Sequence, residues 1–549
     1  MRFTKIVRRQ GASLAVARAQ NKAKLLGGVA LALAALPCAH AEAQTSPVAL
    51  RGATAPDHDP PATCVADAGD CFTLLGVTID GVTAFTQADL APLYTPYLAR
   101  AVSTADLARI AQSITDFYRA QGFFLARAYV PEQAGDGVAR IEVLEGRIAN
   151  VVIEGEAAPL VAPYLRGLDS APVVTLAEMD RRLALAADVP GVSLRSRMEP
   201  DPADPASHRL IVTAELRRAE AWAAMDNRAN QAAGPLQAYG RVARNSLLQD
   251  RDQFGLAVLT TPQDAGEFSM AELTYAYAFE NGDRVRAALL GSHSDGGATL
   301  SDTGGESFSA FVGYETPLLR RRGRGLWLGA AFDFRHLEND WLGGGGYADE
   351  LRVARTSLRG FLDDGGQATT LFVQASLGLD VLGASDASPT RRSRADADAS
   401  FVKLDLFASH YIDVGDHFGL YGAFAAQWSG EPLLQSEEFA AGGLPFGRAY
   451  SYGEISGDSG MAVSLEFRAG LDPDLDPVSF IQGYLFADAA ELWDEAGGEA
   501  SLASVGAGMR VTLYDRVTAG LEFARPLDIA PAEEGNRDWR QFFSLSAEY

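Results

Sequence analysis

The sequence is poor in features that define several common protein classes. It has three cysteines in 549 residues, and its longest apolar run, residues 25–39, is shorter than the roughly 18 residues that a membrane-spanning helix needs. Basic residues are also scarce, with 47 Lys plus Arg against 71 Asp plus Glu, and no clustered positive face is present that would bind phosphates. These shortages exclude a helical membrane protein and argue against nucleic acid as a partner.

Signatures of catalysis and of cofactor binding are missing too. Residues 457–460, Gly-Asp-Ser-Gly, resemble the nucleophile turn of trypsin-like proteases, but no histidine stands in a matching context. The sequence has no paired-His metal spacing, no phosphate-binding glycine loop and no nucleophile elbow in its expected setting. We therefore expect a protein that is not an enzyme and that has no metal and no cofactor.

The first 43 residues are typical of a signal peptide. Residues 1–24 carry seven basic residues and no acidic one, an apolar stretch follows, and alanines at alternate positions in 39–43 match the spacing that signal peptidase cleaves. A basic amphipathic arm is the alternative. Cleavage would remove seven basic residues and one acidic residue, which leaves a net charge of −30 on the exported chain.

Residues 44–71 are rich in Pro, Asp and Ala without periodicity, which predicts a linker. Cys64 and Cys71 lie in this segment, and an oxidising exported compartment would allow them to close a small disulfide loop. A metal site is the weaker alternative because no other cysteine is near and no histidine adjoins them.

Residues 72–218 contain one order of predicted elements twice: a strand, two helices and two strands. In 72–146 the strand 72–79 is followed by helices at 87–99 and 105–121 and strands at 124–130 and 138–144. In 147–218 the order recurs with a strand at 148–154, helices at 157–166 and 175–188, and strands at 192–198 and 208–216. Each unit is therefore expected to be a small α+β domain with two helices packed on a short sheet.

From about Glu220 to the last residue, segments of eight to twelve residues alternate apolar and polar side chains. Residues 402–406 and 463–468 show the pattern, which is typical of strands with lipid on one side and water on the other. Short turns alternate with long polar loops such as 383–399. At roughly 20 residues per strand and connection, this length predicts a membrane-spanning antiparallel β-barrel of about 16 strands in residues 219–549. A soluble multi-sandwich β protein is the alternative.

Together, these parts resemble the outer-membrane transporters of two-partner (type V) secretion, the TpsB or hemolysin activation/secretion family (ShlB/FhaC/HecB). The resemblance covers nearly all of residues 64–549 and includes the superfamily's POTRA domains, here POTRA 1 at 72–146 and POTRA 2 at 147–218. It implies a protein of the Gram-negative outer membrane with periplasmic N-terminal domains and a pore.

The most specific part of the resemblance lies between residues 442 and 460. In the family a Gly-Gly pair leads into Val-Arg-Gly-Tyr/Phe at the tip of a loop that folds into the pore, and Gly-Asp-x-Gly follows. Arg448 and Tyr450 match this tetrapeptide, whereas Gly447 stands in place of its Val and Ala449 in place of its Gly. The predicted pore-loop residues are Gly443, Gly447, Arg448, Ala449, Tyr450, Gly457, Asp458 and Gly460.

A second family motif, Phe-x-Asp on a barrel strand, matches residues 486–488. Alternation independently places Phe486 and Asp488 on one face, and a lone carboxylate is too costly in lipid, so Asp488 is expected to face the lumen. A guanidinium is its natural bidentate partner. We predict that Arg448 and Asp488 lock the loop in the pore; the alternative is a solvated loop arginine.

The resemblance implies protein translocation. An unfolded exported partner would add as a strand to the sheet edges of the POTRA domains and then pass through the barrel. The partner is expected to be a TpsA-type exoprotein, adhesin- or hemolysin-like and β-helical. The alternatives are a barrel assembly factor and a passive pore with periplasmic binding domains. The predicted edge-strand residues are Phe124, Ala126, Ala128, Val130, Val192, Leu194 and Ser196.

Overall fold

The computed structural model describes residues 71–133, 137–231, 233–295, 303–341, 345–385, 391–473 and 475–549. The described chain forms two compact units, one ending at Leu216 and one beginning at Arg217. The predicted signal peptide (1–43), Cys64 and the predicted linker up to residue 70 lie outside the described residues. Among the described residues, none of the helices is long and apolar enough to cross a membrane.

The first repeat, residues 72–146, packs its helices on a three-stranded sheet. Strand β5 (Val138–Leu144) is central, with β2 (Gly76–Asp80) parallel on one side and β4 (Arg127–Tyr129) antiparallel on the other. Helix α2 (Thr104–Ala120) starts at a capping box in which Ser103 and Asp106 satisfy each other's backbone N–H. The elements are β1 Phe72–Thr73, β2 Gly76–Asp80, α1 Gln87–Leu90, two 3-10 turns Ala91–Leu93 and Thr95–Tyr97, β3 Ala101–Val102, α2 Thr104–Ala120, β4 Arg127–Tyr129 and β5 Val138–Leu144.

Two sequence predictions for this repeat are wrong. The helix expected at 87–99 is one short α-helix followed by the two 3-10 turns, because Pro92 and Pro96 lack the N–H that a continuing α-helix needs. The strand expected at 124–130 covers only Arg127–Tyr129.

The shortened strand has a local cause. After α2 the chain turns sharply, with the N–H of Phe123 donating to the carbonyl of Tyr118 at 2.9 Å and that of Ala126 to Phe123 at 3.1 Å. Phe124 and Ala126 therefore belong to a turn, and Val130 follows the strand.

The second repeat, residues 147–218, has the same sheet order. Strand β8 (Ser207–Leu216) lies between β6 (Arg147–Glu154) and the edge strand β7 (Val192–Pro200). Thr175 caps the second helix and accepts from the N–H of Glu178. The buried core of the second repeat combines apolar residues of both helices with Val192, Leu194 and Val212 of the sheet. The elements are β6 Arg147–Glu154, α3 Ala158–Leu165, α4 Leu176–Ala187, β7 Val192–Pro200 and β8 Ser207–Leu216.

Residues 219–549 form a closed antiparallel barrel of sixteen strands, which confirms the predicted fold. The wall strands in chain order are β9 Ala219–Asp226, β10 Gln237–Asn245, β11 Asp252–Thr260, β12 Ser269–Ala278, β13 Arg284–Ser294, β14 Thr303–Arg321, β15 Arg324–Trp341, β16 Gly346–Asp363, β17 Gln367–Gly378, β18 Val402–Val414 and β19 Phe418–Ser429. Two short strands, β20 Phe439–Ala441 and β21 Ile455–Gly457, form a separate hairpin. The wall then continues with β22 Ser459–Leu471, β23 Val478–Trp493, β24 Glu499–Leu513, β25 Val517–Pro526 and β26 Arg540–Glu548.

Alternation along the wall strands produces an apolar exterior and a charged lumen. In β22, Val463 and Leu465 are exposed on the outside, at 42% and 62%, while Ser464 and Glu466 are buried inside. At the barrel end that carries Tyr549 the strand connections are short, and the longest connections lie at the other end. This asymmetry places the loop with the predicted motif among the long connections.

Candidate functional site

Residues 430–458, the pore loop, connect β19 to β22 and fold into the barrel as a hairpin. Its stem is the β20–β21 pair, in which Phe439 lies opposite Gly457. At the base, the Ser459 hydroxyl accepts the N–H of Ser429 at 3.0 Å. The hairpin presents a tip, residues 442–454, whose buried members contact the inner wall.

Glycine determines the shape of the tip. Gly443 and Gly447 have φ of +73° and +96°, a region that other residues rarely adopt. The N–H of Gly443 donates to the carbonyls of Gly447 and Tyr450 at 3.0 and 3.1 Å. A Cβ at Gly447 would lie 2.7 Å from Cδ1 of Leu502. Gly447, which departs from the family tetrapeptide, is therefore the residue that this turn requires.

Arg448 is the most enclosed charge of the tip, with 2% of its surface exposed. Its backbone N–H donates to Asp488 Oδ2 at 3.0 Å, and Nε and Nη2 each lie 3.2 Å from Oδ1 of the same carboxylate. Nη1 donates to Glu466 at 2.7 Å, and Nη2 to the hydroxyl of Ser464 at 3.0 Å. The guanidinium carbon stands 3.7 Å from the ring centroid of Phe486, a cation–π contact.

The residues around Arg448 form a connected ionic network, the tip cluster. Arg228 donates to Glu522 at 2.7 Å, and Arg510 lies 3.3 Å from Glu466. Because most of these charges are buried, removal of one would leave its partners uncompensated, at a cost of about 3–5 kcal/mol for a buried pair. The members are Arg228, Arg448, Arg468, Arg510, Glu466, Asp488 and Glu522.

Ala449 and Tyr450 are fully buried beside this cluster. The Tyr450 hydroxyl lies 3.1 Å from the carbonyl oxygens of both Ala503 and Ile529 and shares its single proton between them. The Ala449 carbonyl accepts from Arg540 at 2.9 Å. Wall residues thus bind the tip through its backbone as well as through Arg448.

Asp458 fastens the stem to neighbouring loops. Its carboxylate accepts from Arg394 Nη1 at 2.6 Å, from the N–H of Leu433 at 2.7 Å and from the N–H of Glu495 at 3.0 Å. Gly460 follows in β22, where a Cβ would lie 3.0 Å from the carbonyl oxygen of Glu491. The Gly-Asp-Ser-Gly segment is therefore a structural part of the loop base.

Sequence reasoning missed one charged residue of the loop. Glu437 is buried against Arg335, Arg355 and Lys403 of the wall. The strand pattern had shown Lys403 opposite an apolar face, which was the available signal, but loops have no periodicity that would have singled out Glu437.

The predicted partner-binding edges differ in accessibility. Both β4 and β7 are edge strands of their sheets. In β4, however, the N–H of Ala128 donates to the Thr115 hydroxyl of α2 at 2.9 Å, so helix α2 covers this edge. Strand β7 is longer, with Val192 and Leu194 in the core and Ser196 exposed.

Cys71 is disulfide-bonded. Its predicted partner, Cys64, lies outside the described residues, and the pairing stays a prediction.

A unit of two α+β repeats followed by a sixteen-strand barrel with an infolded loop defines a class: outer-membrane transporters with POTRA domains. Comparison with known families supports this class. Residues 72–146 match the family "POTRA domain, ShlB-type", and residues 354–511 match "Haemolysin secretion/activation protein ShlB/FhaC/HecB".

Individual relatives agree over most of the chain. The outer membrane transporter CdiB of Dickeya dadantii is 24% identical over 84% of this chain and 85% of its own length. The heme/hemopexin transporter protein HuxB of Haemophilus influenzae is 22% identical over 80% of each chain. The solved structure of CdiB from Escherichia coli shares the fold, with a TM-score of 0.67 and 20% identity over 89% of this chain and 92% of that one.

Both parts of the chain therefore resemble the ShlB/FhaC/HecB haemolysin secretion/activation proteins. It is a two-partner secretion transporter of the outer membrane, with its POTRA domains in the periplasm and a secreted exoprotein as its partner. The predicted class and location are confirmed.

Proposed function

We propose that POTRA 2 binds the exported partner while it is unfolded, by strand addition to β7, and that the partner then crosses the barrel when the pore loop moves. Residues 72–146, 147–218 and 219–549 would act as POTRA 1, POTRA 2 and the translocating barrel. The partner would be an adhesin- or hemolysin-like protein that folds into a β-helix outside the cell. Because no ATP is available at the outer membrane, this folding would make transport proceed outward. The apolar exterior of the barrel would contact outer-membrane lipid, and transport rather than catalysis would be the activity.

The open edge of β7 is the observation that supports this route. Among the described residues no strand pairs with its outer side, and it is nine residues long, enough for a continuous ladder of main-chain hydrogen bonds. Main-chain bonding tolerates many sequences, as a carrier of an unfolded chain requires. We therefore revise the expectation that both repeats bind alike and assign the role to β7.

The position of outward N–H groups on β7 follows from the first repeat. Ala128 pairs with Val143 and directs its N–H away from β5, and Leu194 pairs with Ala214 in the corresponding place. N–H groups alternate along a strand, so Leu194 and Ser196 are expected to present theirs to the open side.

A proline at Ser196 tests strand addition. Ser196→Pro would remove one N–H from the open edge without a buried side chain, and we expect at least tenfold weaker binding of the unfolded partner and loss of secretion. Ser193→Ala, on the same exposed strand, is the matched control with an unchanged backbone. Full secretion by a folded Ser196→Pro variant would contradict strand addition.

The pore loop would be the gate of the same route. Arg448→Ala leaves Asp488 and Glu466 without their central cation, so we expect the loop to become accessible to protease and secretion to fall at least tenfold. Arg286→Ala, which removes a lumenal ion pair with Glu315 away from the loop, is the control. Intact secretion together with intact protease protection in Arg448→Ala would refute the lock, and steady open pores without partner secretion in the wild type would favour a passive pore.

A further inference from the structure

The pore loop carries a second buried charge, opposite in sign to Arg448. Glu437 ends the 3-10 turn Gln435–Glu437 on the limb that enters the barrel, and its side chain is 2% exposed. Its carboxylate lies 2.7 Å from Arg355 Nη2, 2.8 Å from Lys403 Nζ and 3.1 Å from Arg335 Nη1. Three cations of strands β15, β16 and β18 therefore surround one loop carboxylate. We call this contact of Glu437 with Arg335, Arg355 and Lys403 the stem anchor.

Backbone contacts reinforce the stem anchor. The carbonyl of Glu437 accepts from Lys403 Nζ and from Gln427 Nε2, each at 3.0 Å, and that of Ser436 accepts from Arg335 at 3.3 Å. The wall thus grips both the side chain and the main chain of this turn.

The charge balance of the wall makes Glu437 necessary there. Without it, Arg335, Arg355 and Lys403 would face two nearby wall carboxylates, Asp333, which pairs with Arg355, and Asp405, 3.9 Å from Lys403. An uncompensated cation in a buried site is costly, so the wall favours an anion delivered by the loop.

The stem anchor and the Arg448 contacts, the two anchors of the pore loop, lie on different arcs of the barrel wall. The stem anchor contacts β15, β16 and β18, whereas Arg448 contacts carboxylates on β22 and β23. Each loop charge would be repelled at the other position, so the pair also specifies the orientation of the hairpin in the lumen.

We propose that Glu437 is a second positioning residue of the pore loop, which holds the stem in place when Arg448 releases the tip. The proposal rests on the gating role of the loop proposed above. The tip would then move about a fixed stem, and the loop would leave the lumen only when both anchors are broken.

Lys403 offers a built-in probe of the stem. It is the only lysine after residue 24, and its side chain is 8% exposed beneath Glu437. A small amine-reactive reagent, applied to the full-length protein in detergent micelles, reports its accessibility. Trypsin releases Lys403 in peptides bounded by Arg394 and Arg448, or by Arg394 and Arg468 in Arg448→Gln. Wild type, Glu437→Gln and Arg448→Gln are compared, with Glu438→Gln as control because Glu438 pairs with Arg394 rather than Lys403.

We expect Lys403 to react at least tenfold faster in Glu437→Gln than in wild type, and within threefold of wild type in Arg448→Gln and Glu438→Gln. Single-channel conductance provides the second readout: we expect it to be several-fold larger in the double variant Glu437→Gln/Arg448→Gln than in either single variant.

Two outcomes would overturn the proposal. Equal labelling of Lys403 in Arg448→Gln and Glu437→Gln would show that the loop moves as one body, and an unreactive Lys403 with wild-type conductance in Glu437→Gln would show that Glu437 anchors nothing. Normal secretion by Arg448→Gln with the expected labelling would instead refute the gating role and leave the stem anchor standing.

Discussion

The two POTRA repeats share an architecture but differ in whether a helix covers the edge strand of the sheet. In both, a glycine with positive φ follows the first long strand and lies against a carbonyl of the central strand. A Cβ at Gly81 would be 2.2 Å from the Val143 oxygen, and one at Gly155 would be 2.1 Å from the Ala214 oxygen. In each repeat this contact joins the end of the first long strand to the central strand. Val143 and Ala214 therefore occupy corresponding positions in the two repeats.

The differences begin at those positions. Two residues after Val143, Glu145 accepts hydrogen bonds from the N–H groups of Thr83 and Ala84 at 2.7 and 2.8 Å and from the Tyr118 hydroxyl at 2.8 Å. Two residues after Ala214 stands Leu216, which has no acceptor in its side chain.

The second difference covers the edge itself. Thr115, twelve residues after the cap of α2, accepts the N–H of Ala128, whereas Ala187, twelve residues after the cap of α4, has no polar side chain. The same arrangement of elements thus has a covered edge in POTRA 1 and an open edge in POTRA 2, and the binding role proposed for β7 rests on this difference.

The shared glycine contact should produce the largest effect, and the same effect in both repeats. Gly81→Ala and Gly155→Ala each place a methyl group closer to a carbonyl oxygen than van der Waals contact allows, and each forces a left-handed φ on alanine. We therefore expect each to destabilise its own repeat by about 3 kcal/mol or more. Hydrogen exchange of α2 and α4 amides in the full-length protein measures this. Gly76→Ala, where nothing lies within 4 Å, is the control. If one variant were tolerated, the correspondence between repeats would be wrong there.

The Glu145 contacts should produce a smaller effect, confined to POTRA 1 and dependent on pH. Burial alone would raise the pKa of the Glu145 carboxyl, but hydrogen bonds from Thr83, Ala84 and Tyr118 outweigh it and the pKa is lower than usual. Its stabilisation is therefore complete above the ordinary carboxyl pKa of about 4.3 and is lost as the pH falls through the lowered value.

Glu145→Gln replaces one acceptor oxygen by a donor that faces other donors. At pH 7 we expect a loss of about 2 kcal/mol in POTRA 1, which shrinks below about pH 4 as wild type loses the same contribution. Denaturation monitored through hydrogen exchange of the α2 backbone amides, at pH 7 and at pH 3.5, measures the difference. Glu142→Gln, in β5 three residues before Glu145, is the control, and a loss that did not depend on pH would contradict the electrostatic origin.

The barrel and the repeats could be predicted because both depend on patterns that local sequence carries. Alternating residues such as Val463 and Glu466 reveal a wall strand, and capping residues such as Ser103 and Thr175 mark helix starts. The Arg448 and Asp488 pair was predicted from the family resemblance together with the lumenal face of Asp488. The structure brings the two residues together, while their role as a lock stays a prediction.

Other features depend on tertiary contacts that no local pattern reveals. Strand β4 is short because the chain turns at 122–126 to follow α2, and the stem anchor joins Glu437 to strands up to about 100 residues away in sequence. In a chain with so many acidic residues, one more glutamate in a long loop carries no signal by itself. The breaks at Pro92 and Pro96, by contrast, were visible in the sequence and should have shortened the predicted helix.

The Thr115 contact should produce the smallest change in stability and the sharpest test of why the repeats differ. Thr115→Val keeps the shape but removes the acceptor for the Ala128 N–H, and we expect POTRA 1 to lose about 1–2 kcal/mol. Thr78→Val, at an exposed strand position, is the control. If α2 closes the edge only through this hydrogen bond, the variant should bind unfolded partner at β4, so that secretion by Ser196→Pro recovers in the double variant. If secretion stays lost, the packing of α2 against β4 closes the edge, and POTRA 2 alone provides the binding strand.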